Sequence, residues 1–165
     1  MKHANDIQKL GELIEDIRIA MLCTVSKDGT LRSRPMGTQM EDFDGTLWFF
    51  TEKDSGKVDE IEEEQRVNVI YSEPKQELYV SVSGMGTVVT DKAEIKRRWN
   101  PLYQAWFPKG LEDPNIALLK IDVEKAEYWE TPASKVIQLM GFAKAILTGK
   151  RIKNPGRHEK FTLPH

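Results

Sequence analysis

The spacing of hydrophobic positions changes several times along the chain, and each change predicts a new element. Near the start, Ile7, Leu10 and Ile14 recur at intervals of three and four, which predicts an amphipathic helix over residues 5–18. Later runs are shorter, partly alternating, and rich in β-branched and aromatic residues, which is typical of strands. Six strands are predicted, over residues 20–26, 31–40, 46–51, 67–72, 78–90 and 116–128.

Turn residues and helical spacing predict how these strands are joined. Gly29 and Gly45 each follow an aspartate in a short turn, which makes hairpin-like connections between the first three strands. Gly84 and Gly86 lie within the fifth strand and predict a bulge or bend there. Helices are predicted after the third, fifth and sixth strands, over residues 57–64, 92–107 and 134–147, the second of them broken at Asn100-Pro101.

This order of elements favours a mainly β (α+β) fold, a six-stranded antiparallel split β-barrel with flanking helices. A doubly wound parallel sheet needs a helix after nearly every strand, and this chain does not supply them. The length of 165 residues fits one domain. We assign residues 1–149 to that domain and expect residues 150–165, which are basic and offer little to pack, to form a disordered tail.

Composition narrows the classes of function. A net charge of −2 gives no basic footprint for nucleic acid, and no run approaches the length of a membrane span, so we expect a soluble cytoplasmic protein. Cys23 is the only cysteine, which excludes an internal disulfide and a cysteine-rich zinc site. His3, His158 and His165 all lie near the ends of the chain, which we expect to be mobile. That argues against a histidine-centred hydrolase.

The end of the third predicted strand is a candidate phosphate site. Thr51 and Ser55 carry hydroxyls, and Lys57 follows in the first turn of the predicted helix. A helix start presents free backbone N–H groups and a positive dipole end, so these side chains would suit a dianionic phosphate. The alternative is plain helix capping by Asp54 or Ser55, which leaves the lysine unexplained because its charge opposes the helix dipole.

The second predicted strand carries two arginines on one face. Arg32 and Arg34 are two residues apart, so both point to the same side of the strand, and an inward pair would require an anion. Pro35 cannot donate to a strand ladder and predicts an edge or a bulge where backbone groups can meet a ligand. The alternative is an exposed edge strand whose charges deter aggregation.

Aromatic residues recur late in the chain. Trp99, Tyr103, Trp106 and Phe107 follow helical spacing, and Trp129 ends the sixth strand. Such residues usually pack in a core or an interface. A flat ring system bound at a dimer seam would use the same surfaces, and both interpretations stay open.

Together these stretches resemble the FMN-binding split-barrel superfamily, and within it the general stress protein 26-like group, which is related to pyridoxamine 5′-phosphate oxidase. The resemblance covers residues 7–149. It is carried by Ser33-Arg34-Pro35-Met36, Trp48-Phe49-Phe50-Thr51, Ser55-Gly56-Lys57, Trp106-Phe107-Pro108-Lys109-Gly110 and Glu127-Tyr128-Trp129-Glu130. It implies a six-stranded antiparallel barrel, an isologous homodimer, and one FMN or FAD per subunit in the interface groove.

The resemblance also implies roles for particular residues. The strand segment Ser33, Arg34, Pro35 and Met36 would line the isoalloxazine, while Arg34, Ser55 and Lys57 would bind the phosphate. Phe50 and Thr51 would bridge the ring and the ribityl chain, and Trp106 and Trp129 would lie near the ring or contact the partner subunit. Pyridoxamine phosphate oxidases end in an arginine-rich segment, whereas this chain ends Lys160-Phe161-Thr162-Leu163-Pro164-His165. Oxidation of vitamin B6 is therefore the less favoured activity.

The leading functional hypothesis is a flavin-dependent oxidoreductase acting on a small molecule, with a link to stress implied by the family name. Any bound flavin would carry the chemistry itself. The alternatives are a flavin reservoir or sensor without turnover, a different planar cofactor, and a ligand-free interaction module.

Overall fold

The computed structural model describes residues 2–39, 43–131, 146–148 and 156–163. In residues 2–39 and 43–131, three helices flank a sheet, and two short 3₁₀ turns, Pro101–Ala105 and Gly110–Glu112, follow the third helix. The helices are α1 (Lys2–Ile14), α2 (Gly56–Glu63) and α3 (Lys92–Arg98). The strands are β1 (Ile19–Val25), β2 (Leu31–Gly37), β3 (Thr46–Glu52), β4 (Arg66–Glu73), β5 (Leu78–Val89), β6 (Ile116–Glu130) and β7 (Arg157–Thr162).

All the strands belong to one antiparallel sheet. Six of them follow the order β2-β1-β4-β5-β6-β3, and β7 is added beside β6. The sheet curls so that its two end strands, β2 and β3, contact each other. The predicted fold class, an antiparallel split barrel of six strands with flanking helices, is therefore confirmed.

Alternation along the strands builds the core. In β1, Ala20, Leu22 and Thr24 are fully buried, while the residues between them are exposed or half-buried. Helix α1 covers this inner face with Leu10, which has no exposed surface. Burial of one such leucine stabilises a fold by roughly 1.5–3 kcal/mol. None of the helices in the described part of the chain is long and apolar enough to span a membrane.

The predicted irregularity occurs at Gly84 of β5, but the extra residue of the bulge is Glu124 on β6, because Ser83 pairs with Lys125 and Gly84 with Val123. The pairing register between β5 and β6 shifts at Ser83 and Gly84. A Cβ atom at Gly84 would lie 2.2 Å from the carbonyl oxygen of Asp122, so only glycine fits without a backbone shift. The bulge thus lets two long strands stay in contact while the sheet bends.

The expectation of a disordered C-terminal tail is wrong for residues 156–163. Strand β7 pairs with the second half of β6, and it places Phe161 and Leu163 in the core. Phe161 stacks on Tyr128 with ring centroids 5.6 Å apart. The sequence of β7 does not show the alternation typical of a strand, because most of its residues are charged and only one of its side chains is buried. The helix predicted over residues 134–147 lies outside the described residues except for 146 and 147, which are helical.

Candidate functional site

The candidate site lies where the barrel is split, between β2 and β3. These strands end the sheet at opposite sides, so each has one edge without a strand partner among the described residues. Pro35 lies on β2, as the absence of its N–H led us to expect for an edge strand. Free backbone groups therefore border the opening from both sides.

The side chains of β2 alternate across this edge. Arg34 and Met36 point inward, Met36 being buried and Arg34 having 18% of its side chain exposed. Ser33 and Pro35 are exposed on the outward face. The four residues predicted to line a flavin ring thus divide between the two faces of the strand.

Arg32 and Arg34 share one face of β2 and both pair with the carboxylate of Glu60 in α2, although only Arg34 is inward and 59% of the Arg32 side chain is exposed. Arg34 Nη2 lies 2.6 Å from Glu60 Oε2, and Arg32 Nη1 lies 2.8 Å from Glu60 Oε1. Two hydroxyls complete the set: Thr24 donates to Oε2 at 2.5 Å and Ser26 donates to Oε1 at 3.1 Å. Each carboxylate oxygen therefore accepts two hydrogen bonds.

These partners decide the ionisation of Glu60. Burial by itself would raise the pKa of this carboxyl, but the hydrogen bonds from Thr24 and Arg34 and the charge of Arg34 outweigh burial and lower the pKa to about 2. The group is consequently an anion at neutral pH, enclosed by its donors.

The start of α2 faces the same region and is not capped. The N-cap residue Ser55 makes no side-chain bond to the helix; its hydroxyl donates to the carbonyl of Glu52 at 2.8 Å and lies 3.3 Å from the buried hydroxyl of Thr51. The Asp54 carboxylate accepts instead from Asn115 Nδ2 at 2.6 Å. The capping alternative is therefore wrong, and no side chain among the described residues accepts from the first N–H groups of α2.

Lys57 adds a second cation beside Arg34. Burial lowers the pKa of the Lys57 ammonium, and the positive charge of Arg34 lowers the pKa further. Within the described part of the chain, no group forms a hydrogen bond or ion pair with this half-buried ammonium. Two cations at an uncapped helix start are an arrangement typical of anion sites.

Phe50 has a different environment from its neighbour Thr51. Because β3 alternates, Thr51 is buried toward the barrel while the Phe50 ring lies on the other face. That ring packs among Trp99, Tyr103 and Phe107, with its centroid 4.7 Å from the Tyr103 ring. The default interpretation of these aromatics as packing groups is therefore confirmed for this cluster.

The two tryptophans predicted near a ligand lie on the surface. Trp106 is 67% exposed beyond the first 3₁₀ turn. Trp129 lies on the outward face of β6 and stacks on His158 of β7, with ring centroids 5.1 Å apart and an interplanar angle of 9°. Among the residues described, neither ring makes a cation–π contact with Arg34 or Lys57.

A cavity of about 230 Å³ lies elsewhere, between the end of α1, the start of β3 and α3. Its arginines are already engaged: Arg97 and Arg98 both pair with Glu94, and the Arg98 guanidinium lies 3.8 Å from the centre of the Trp48 ring. A recess with paired charges gives less reason for an anion to bind than the region around Lys57, whose ammonium forms no hydrogen bond or ion pair among the described residues.

Glu60 and Thr24 were missed from the sequence. Glu60 lies in a run of acidic residues that reads as a solvated helix face, although it is buried beside Val58 and Ile61. The one available signal was the arginine pair itself, because an inward pair requires an anion and the nearest acidic helix could have supplied it.

Comparison with known proteins places this chain in a family. Residues 5–153 match the family described as pyridoxamine 5′-phosphate oxidase like. Protein bli-3 of Neurospora crassa is 28% identical over 154 residues, which cover 87% of this chain and 74% of that protein.

Solved structures of two general stress proteins are similar to this chain. A structure from Jannaschia sp. CCS1, assigned to general stress protein 26, superposes with a TM-score of 0.74 at 27% identity and covers 97% of this chain and 99% of that one. The general stress FMN/FAD binding protein of Xanthomonas citri has a TM-score of 0.68 at 35% identity, covering 79% of this chain and 92% of that one. The chain belongs to the pyridoxamine 5′-phosphate oxidase-like family.

Proposed function

We propose that this protein binds a flavin nucleotide, FMN or FAD, with its phosphate at the start of α2. The observation that carries the proposal is the Lys57 ammonium, which is half-buried, is repelled by Arg34, and forms no hydrogen bond or ion pair among the described residues, although the charges of Glu52 and Glu60 attract it from a greater distance. A phosphate there would accept from Lys57, from Arg34 and from the uncapped N–H groups of the helix. The Xanthomonas citri relative, named as an FMN/FAD binding protein, supports the choice of a flavin.

The remaining predicted residues take roles that fit their placement. The isoalloxazine would lie along the free edge of β2, meeting the backbone of Ser33 to Met36 rather than four converging side chains. Thr51 would hold the ribityl chain through its hydroxyl, while Phe50 would support the wall from behind as part of its aromatic cluster. Trp106 and Trp129, both exposed, would be supplied to the ring across a subunit interface.

The proposed activity is that of an oxidoreductase acting on a small molecule. When bound, a flavin supplies hydride or electron transfer, and the protein contributes binding, orientation and electrostatics. Arg34 and Lys57 would anchor the phosphate end, and the edge of β2 would orient the ring in the split. A role in stress is part of this proposal and is supported by the names of the similar general stress proteins.

We also propose a homodimer. The outward face of the sheet exposes apolar side chains on adjacent strands: Met21 lies directly opposite Pro35 and Ile70, and Tyr79 lies opposite Trp129. Contiguous apolar surface of this kind marks an interaction site. A second copy related by a twofold axis would cover it and close the open side of the split.

The first test is a visible absorption spectrum of the purified protein after incubation with FMN, FAD or no flavin, followed by desalting. Retained flavin bands, absent when the protein is incubated with riboflavin, are expected if the phosphate provides the anchor. Loss of all flavin on desalting, together with no fluorescence change on titration, would contradict the proposal.

A second measurement separates an enzyme from a flavin reservoir or sensor. Anaerobic addition of NADH or NADPH to the flavin-loaded protein should bleach the oxidised flavin bands if the protein is an oxidoreductase that uses these donors. Failure of these donors and of chemically distinct alternatives would favour the reservoir or sensor.

A further inference from the structure

Glu60 is an unusual residue to find beside a phosphate site. Its carboxylate is negative, is buried, and lies against the same arginine that would bind the phosphate. Its charge opposes that of a bound phosphate. A buried ion pair is also weak evidence for stability, because desolvation offsets much of the attraction. Neither attraction to a phosphate nor a gain in stability therefore explains why a carboxylate lies here.

The hydrogen bonds supply that reason. Arg34 Nη1 donates to the Thr24 hydroxyl at 2.5 Å, Nη2 donates to Glu60 at 2.6 Å, and Thr24 in turn donates to Glu60 at 2.5 Å. This closed triangle commits two of the five N–H groups of the guanidinium and holds its plane. The other N–H groups stay available for the oxygens of a ligand.

Glu60 also allows the cations to be assembled before a ligand arrives. Arg32 and Arg34 are held by opposite oxygens of one carboxylate, and Arg34 repels the nearby Lys57. Without an internal anion, these three cations would turn toward solvent in the empty protein. Ordering them would then oppose every binding event.

We propose that Glu60 is a positioning residue that fixes the Arg34 guanidinium for a phosphomonoester, and so produces the preference for a phosphorylated flavin over riboflavin. This inference rests on the proposed function, because it assumes that a flavin phosphate lies at Lys57 and Arg34. The part of the FMN affinity that comes from a guanidinium already oriented before binding is thereby assigned to the hydrogen bonds among Thr24, Glu60 and Arg34.

The test compares FMN and riboflavin binding, by fluorescence titration, to the wild type and to Glu60→Gln. The wild type is expected to prefer FMN. Glu60→Gln should reduce that preference by at least about tenfold, the change produced by losing one charge-assisted hydrogen bond, with riboflavin affinity held within about twofold. Damage to the fold as a whole would weaken both ligands alike.

A matched control is Glu64→Gln. Glu64 also pairs with an arginine, Arg66, at 2.6 Å, and is the C-cap residue at the far end of α2. Glu64→Gln removes the same charge and the same kind of ion pair as Glu60→Gln, and it should leave the preference for FMN over riboflavin unchanged. An equal loss in both variants would overturn the positioning role.

Two further outcomes are distinguishable. If the wild type prefers FMN and Glu60→Gln keeps that preference, the positioning role is overturned while the phosphate site stands. If the wild type shows no preference for FMN, the phosphate site itself is overturned, and this inference with it. Should Glu60→Gln fail to fold, Thr24→Val removes the shared hydroxyl and keeps every charge. It should lower the same preference, and an unchanged preference would overturn the role.

Discussion

Replacing Lys57 by methionine keeps most of the length of the side chain and removes its charge. The ammonium is half-buried beside Arg34 at the uncapped start of α2, so a bound phosphate would receive from it a charge-assisted hydrogen bond. Such bonds contribute about 1.5–3 kcal/mol, which corresponds to a loss of roughly 10- to 150-fold in FMN affinity. Riboflavin, which has no phosphate, should bind to both proteins equally.

The same substitution has the opposite effect on the empty protein. The pKa of Lys57 is lowered by burial and by Arg34, which means that folding makes the charged form less favourable. Wherever this lysine is charged in the folded protein, its charge therefore costs stability. Without flavin, Lys57→Met should have a melting temperature equal to or higher than that of the wild type. With FMN, it should show less thermal stabilisation than the wild type.

The assay is a pair of titrations, with FMN and with riboflavin, followed by thermal unfolding of each protein with and without ligand. Lys53→Met is the matched control: this exposed lysine lies four residues earlier, and its Nζ donates to the Pro114 carbonyl at 2.9 Å. It should keep the wild-type affinity for FMN. Equal FMN affinity in Lys57→Met and the wild type would refute the phosphate site, as would a parallel loss of riboflavin binding.

Three other predictions concern the network, the bulge and the interface. Because the pKa of Glu60 is lowered to about 2, its contribution to stability is complete above its unfolded pKa and is lost as the pH falls toward 2. Urea unfolding across this range should show that acid lowers the free energy of unfolding less in Glu60→Gln than in the wild type. An identical pH dependence in the two proteins would contradict this. Gly84→Ala should lower the free energy of unfolding, because the added Cβ would clash with the Asp122 carbonyl. Gly37→Ala, whose Cβ would meet nothing within 4 Å, should have little effect. Equal urea midpoints for the two variants would refute this. Met21→Glu should convert a dimer into a folded monomer by light scattering, and a wild type that is already monomeric at micromolar concentration would exclude the dimer.

Local pattern determined much of this protein. The alternation of side chains and the turn glycines predicted six strands close to their observed bounds, because strand period and turn conformation depend on neighbouring residues alone. The same period of two placed Arg32 and Arg34 on one face, and the demand of that pair for an anion followed from the cost of burying charge. Pro35 marked the edge strand because it lacks an N–H group.

The tertiary structure decided which groups meet. The anion for Arg34 is Glu60, 26 residues away, and its acidic neighbours concealed its burial in the sequence. Strand β7 joins the second half of β6, where a single buried ring, that of Phe161, holds an otherwise charged strand. Both pairings join segments that are far apart along the chain and that the curl of the sheet brings together. Those are sums of many contacts between distant segments, and no local spacing of residues encodes them.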